Sequence, residues 1–187
     1  EKDKLKKIST LKSCYGFNQL FKRSITLPIW TDVTFLVTDK DYKYLYGDPK
    51  STSNIHPRKQ YGNGFKNYFH CKMVSPWAFK EKTGLHFHFG PNIWNLEEFN
   101  DLQFLPAIVE YKVNNHTHIN VMFKKAEFQK KYNINIPIGF PLIHLTPLAD
   151  IKINIKNHLV TEQEYNMIHN SIYTLFGFNR LRSEEHT

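Results

Sequence analysis

Cysteine is nearly missing from this chain: 187 residues contain only Cys14 and Cys71. Two cysteines make no disulfide framework and have no metal-ligand spacing. They could pair, but two buried thiols in a reducing compartment are the simpler expectation. Also missing is any run of 18 apolar residues, so no transmembrane helix is expected. The charged start is followed by no apolar stretch of the signal-peptide kind, so no secretory leader is expected. There is no P-loop, dinucleotide-binding glycine fingerprint, CxxC pair or nucleophile motif. These gaps remove each specific reason to expect an enzyme, and no cofactor is implied.

What is present is aromatic and basic. The chain has 15 Phe, 10 Tyr and 3 Trp, and its formal net charge is +8. Aromatic residues favour strands and interfaces. The basic excess is concentrated at the start, where Lys2, Lys4, Lys6, Lys7 and Lys12 face only Glu1 and Asp3. Such an arm suits weak contact with nucleic acid, or is a solvated, frayed terminus. Elsewhere the charges alternate in sign.

Periodicity predicts one mostly β domain. Gly16 to Arg23 reads as a short helix, with Pro28 barring any continuation. Val33 to Thr38 and Tyr42 to Tyr46 read as strands joined by a polar turn. Gly47 to Gly64 reads as a long loop, rich in Gly, Pro, Ser and Asn. Further strands are expected at Phe69 to Ser75, Gly84 to Phe89, Phe104 to Lys112 and Thr117 to Lys124. The remaining three are Tyr132 to Pro137, Pro141 to Thr146 and Ile151 to Ile155. The last alternates cleanly, with three isoleucines on one face. Gly139, between two prolines, is expected to make a tight turn.

At Thr161 the period changes to helical. Thr161 and Glu164 form a capping box. Tyr165, Ile168, Ile172 and Leu175 repeat at helical spacing up to Gly177. The expected organisation is a basic arm over residues 1–13, a β domain over 14–160, and a C-terminal helix and tail over 161–187. The fold expected is a β-sandwich or β-clip-like domain with a C-terminal helix. That helix packs either on its own domain or on a neighbouring subunit.

Candidate chemistry is sparse. His86 with His88, and His116 with His118, are His-x-His pairs on expected strands, where alternate residues share a face. Neither is followed by the glutamate a cupin-type metal site needs, so no metal site is expected. Trp77, with Lys80 beside it, is the one candidate ligand platform, a ring for a sugar or base with a charge next to it. The competing reading is a core anchor, which also applies to Trp30 and Trp94.

Three stretches carry a family resemblance. Ser75-Pro76-Trp77-Ala78-Phe79-Lys80 with Thr83-Gly84 resembles an SPW-x-hydrophobic-K-T-x-x-G signature. Phe104 to Glu110 resembles F-x-x-P-G-V-V-D, with Ala107 for Gly and Glu110 for Asp. Ile134 to Ile143 resembles I-P-K-G-T-P-I. In this order they resemble a family of uncharacterised proteins from tailed phages, over roughly Leu11 to Leu148. The resemblance implies a phage protein in a virion or host cytoplasm, with self or virion proteins as partners and no membrane. The last two motifs also resemble, distantly, the dUTPase group and its β-clip fold. That likeness implies a base at Glu110 and a stacking ring at Tyr111, and hence the rival reading of a nucleotide- or sugar-binding protein or enzyme. The dUTPase serine motif and Gly-rich arm are lacking here.

Overall fold

The computed structural model describes residues 13–55, 65–91, 102–112 and 116–168. Residues 1–12 of the expected arm, Trp94, and residues 169–187 of the expected C-terminal helix and tail, with Ile172, Leu175 and Gly177, lie outside them. After the helix α1 (Tyr15–Arg23) the regular structure of the described chain is all strand as far as Pro147. Ser24 ends the helix as its C-cap, donating its amide to the Leu20 carbonyl.

Eleven strands follow, β1 (Ile25–Pro28), β2 (Val33–Thr38), β3 (Tyr42–Tyr46), β4 (Thr52–Ile55), β5 (Tyr68–Ala78), β6 (His86–Pro91), β7 (Leu102–Phe104), β8 (Ala107–Glu110), β9 (His116–Lys124), β10 (Lys131–Ile136) and β11 (Pro141–Pro147). They form three sheets, in the orders β1-β11-β6-β8, β10-β2-β3 and β4-β5-β9-β7. Every pairing is antiparallel. The protein is mainly β, and among the described residues no sheet closes into a barrel.

Alternation explains how the sheets meet. In β2, Val33, Phe35 and Val37 are buried while the residues between them are half-buried. Their cross-strand neighbours Tyr44, Tyr42 and Ile134 carry the same face into the core. In the β5–β9 ladder the inward pairs are Phe69 with Phe123, Cys71 with Val121, and Met73 with Ile119. In the first sheet they are Leu27 with Ile143, and Leu145 with both Ile25 and Phe89. All three inner faces contribute to one hydrophobic cluster. An aromatic knot joins two of them: Phe123 lies 5.2 Å from Phe35 and 4.8 Å from Tyr42, ring centre to ring centre. Tyrosine hydroxyls add polar pins, Tyr42 donating to the His70 carbonyl and Tyr44 to that of Ser53.

Four expectations are corrected. Residues 52–55, placed in a long loop, form β4 and pair with β5. Four-residue β1, not anticipated, pairs with β11. The single strand expected from Phe104 to Lys112 is two strands in two sheets: Pro106 has no amide hydrogen to continue a ladder, and the chain leaves β7 there to enter β8 beside β6. Finally, residues 151–155 are not a strand. They pair with no strand among the described residues, with Ile151 and Ile155 exposed and Ile153 half-buried against the core. Gly139 does make the expected turn, at φ +82°, and Phe140 donates its amide to the Pro137 carbonyl.

Candidate functional site

Ser75, Pro76 and Trp77 form a bulge. Val74 pairs with His118 and Ala78 with His116, so the three stand opposite Thr117 alone. Pro76 has no amide hydrogen for the ladder. Ser75 replaces it, its hydroxyl donating to the Thr117 carbonyl. A bulge re-aims the side chains beside it. Here the half-buried Trp77 indole donates to the Pro28 carbonyl at 3.1 Å, tying β5 to β1. The single indole donor is therefore used within the protein, and Lys80 stands exposed just past the strand end.

The C-terminal helix begins against the same bulge. Thr161 and Glu164 make the reciprocal capping box, the Thr161 amide donating to the carboxylate at 2.7 Å and the Glu164 amide to the hydroxyl at 3.2 Å. Residues 162–168 are helical. Tyr165 donates to the Ser75 carbonyl at 3.2 Å and meets the His116 ring edge-on. Its burial pushes the phenol pKa up. At its start, then, this helix packs on its own domain.

The two histidine pairs lie on different sheets. His116 and His118 stack in parallel, 5.8 Å apart, beside Tyr165. His86 and His88 are exposed on the outer face of the first sheet, where His86 Nε2 is 3.8 Å from a Glu110 oxygen. Among the described residues no group of three or more His, Cys, Asp or Glu is arranged to hold a metal. Tyr111 is buried between Phe79 and Phe87, and Thr117 donates to its hydroxyl. Burial pushes that hydroxyl up to about 12. A ring so enclosed offers no face to a sugar. Neither cysteine is in a disulfide; Cys71 is buried as expected, but Cys14, the N-cap of α1, is exposed, which corrects the expectation of two buried thiols.

No family model and no curated protein matches the chain.

The outer face of the first sheet also holds His144, on β11 opposite Gly90. Its Nδ1 is 3.2 Å from the Thr26 hydroxyl, and Phe21 of α1 covers it edge-on. Burial lowers its pKa below the ordinary 6.5. The unfolded chain therefore takes up this proton more readily than the folded one, and stability falls as pH drops through about 6.5 towards the folded value. Thermal melts from pH 8 to pH 5 should show this decline, and His144→Gln should flatten it. Equal slopes in the two proteins would show that other groups set the pH dependence.

Two surfaces carry no motif in the sequence. One is the stretch from Leu148 to Val160, a strap held at both ends. Arg23 pairs with Asp150 at 2.6 Å and Lys50 with Glu162 at 2.7 Å. Leu148, just before the first anchor, and Ile151, Ile155, Leu159 and Val160 between the two are all exposed, Leu159 completely. The other is the β9–β10 loop, where Lys124-Lys125 and Lys130-Lys131 flank Phe128, which is 74% exposed. The doubled lysines around a single phenylalanine were the available signal, hidden within charges that alternate elsewhere.

Proposed function

We propose that the chain is a non-enzymatic structural or interaction component of a tailed-phage particle, joining other protein subunits through the apolar strap between Leu148 and Val160. The observation that carries this reading is the strap itself. Exposed apolar groups recurring along one segment suit a contact surface, and with no strand paired to it the segment is open to a partner's sheet edge. Two features of the candidate ligand site agree with it. The Trp77 indole is bound to Pro28 and Tyr111 is enclosed in the core, so each has a structural task already. The phage setting is supported by the three motif stretches that resemble tailed-phage proteins. Mass spectrometry of purified particles tests that setting. The chain is expected in stoichiometric amount with other virion proteins, and its absence from intact particles would overturn the virion part of the reading.

A further inference from the structure

We propose that the β9–β10 loop and the groove beside it bind single-stranded nucleic acid. The loop is built to present its tip. The Tyr132 hydroxyl donates to the Lys124 carbonyl, the Lys125 amide to that of Asn67 at 2.8 Å, and the Ala126 amide to that of Thr38 at 3.1 Å. Gln129 takes a left-handed conformation at φ 59°, the one non-glycine residue to do so among the described residues. With the base pinned and the apex reversed there, the Phe128 ring is turned to solvent.

The surroundings are cationic. The hydrogen bonds just named gather the β2–β3 turn, residues 65–67 and the loop at one end of the molecule. There Lys40, Lys66, Lys124, Lys125, Lys130 and Lys131 outnumber Asp39, Asp41 and Glu127. Glu127 is paired with Lys130, and Asp41 accepts from the Thr38 hydroxyl. Lys125 is held over the Phe69 ring at 5.4 Å. A groove of about 380 Å³ runs beside Phe128, with Asn67, Lys124 and Lys125 in its wall. Phe65, 43% exposed, supplies a second ring at this end.

Lysines that track a backbone, together with an exposed ring on which a base stacks, are the recognition chemistry of single strands. A duplex hides its base faces and gains nothing from Phe128. An anionic bilayer also attracts lysines and an aromatic tip. However, a bilayer surface is flat and has no use for a concave polar wall, in which Asp39 and Glu127 also stand. This inference is independent of the strap, and it locates nucleic-acid contact on the folded domain instead of the N-terminal arm.

Fluorescence anisotropy of a labelled oligo-dT strand, titrated with the full chain across a series of salt concentrations, tests it. Phe128→Ala is expected to weaken binding about tenfold, as loss of one stacked base does. Replacing Lys124, Lys125, Lys130 and Lys131 with Gln should flatten the salt dependence, by about 0.7 in log–log slope for each phosphate no longer neutralised. Circular dichroism should show both variants folded, since Phe128 is 74% exposed and the lysines, Lys125 over the Phe69 ring included, stand outside the hydrophobic core. Replacing Lys2, Lys4, Lys6, Lys7 and Lys12 with Gln should leave the Phe128 effect in place. Four outcomes would overturn the proposal: no binding to oligo-dT, binding indifferent to Phe128, binding abolished by the arm substitutions alone, or a Phe128 effect seen only with vesicles of anionic lipid.

Discussion

Leu145→Asp is expected to yield no folded protein. Leu145 is wholly buried in β11, a central strand, with Ile25 and Phe89 as its cross-strand neighbours on the inner face. The substitution removes a buried leucine and leaves a carboxylate with no cation to meet it, which together cost on the order of 5 kcal/mol or more. A domain of ordinary stability has about 5–15 kcal/mol in total. The matched change Ile153→Asp lies on the strap, where the side chain is only half-buried and its carboxylate stays hydrated. It should cost about 1 kcal/mol, the effect of a typical substitution. Circular dichroism melts of the two proteins make the comparison. An Ile153→Asp protein as damaged as Leu145→Asp would mean that residues 151–155 belong to the core.

Phe123→Ala is expected to be the most destabilising truncation in the aromatic knot. Phe123 is fully buried on β9 and touches rings from two sheets: Phe35 and Tyr42 on one side, and Phe69, its partner in the β5–β9 ladder, on the other. Those rings are fixed in strands whose registers cannot slide to fill the space, so a cavity remains. The cost is about 3–5 kcal/mol, which lowers the melting temperature of a domain this size by roughly 10 °C. A drop of only a degree or two in differential scanning calorimetry would mean that the two sheets do not share this contact.

These two substitutions also mark where the sequence was legible. Val33 to Thr38 and Tyr42 to Tyr46 alternate, are bounded by turn residues, and fold as the strands expected. Ile151 to Ile155 alternates just as cleanly and is no strand. Alternation specifies a face, whereas a strand also needs a hydrogen-bonding partner, and among the described residues none lies beside this segment. Thr52 to Ile55 is the converse case, a polar stretch with no pattern that becomes β4 because β5 offers it an edge. Pro106 was visible, but a proline inside an apolar run does not say that the chain changes sheets there. Of the candidate residues, Trp77 reads from the sequence either as a ligand platform or as a core anchor. Its bond to Pro28 spans 49 residues, which no local pattern reveals. The lysines around Phe128 were readable as composition, but their grouping with Lys40 and Lys66 depends on three loops meeting.

The strap is the centre of the functional account, and the mass of the protein in solution tests it most directly. Ile151, Ile155 and Leu159 lie outside the hydrophobic core and are about half to fully exposed, so replacing all three with Ser should change the melting temperature by no more than a few degrees. Size-exclusion chromatography with light scattering should find the unmodified chain associated, with itself or with a co-expressed virion partner, and the triple variant monomeric. A triple variant that keeps both the stability and the assembled mass of the parent would contradict the claim that subunits join through the strap.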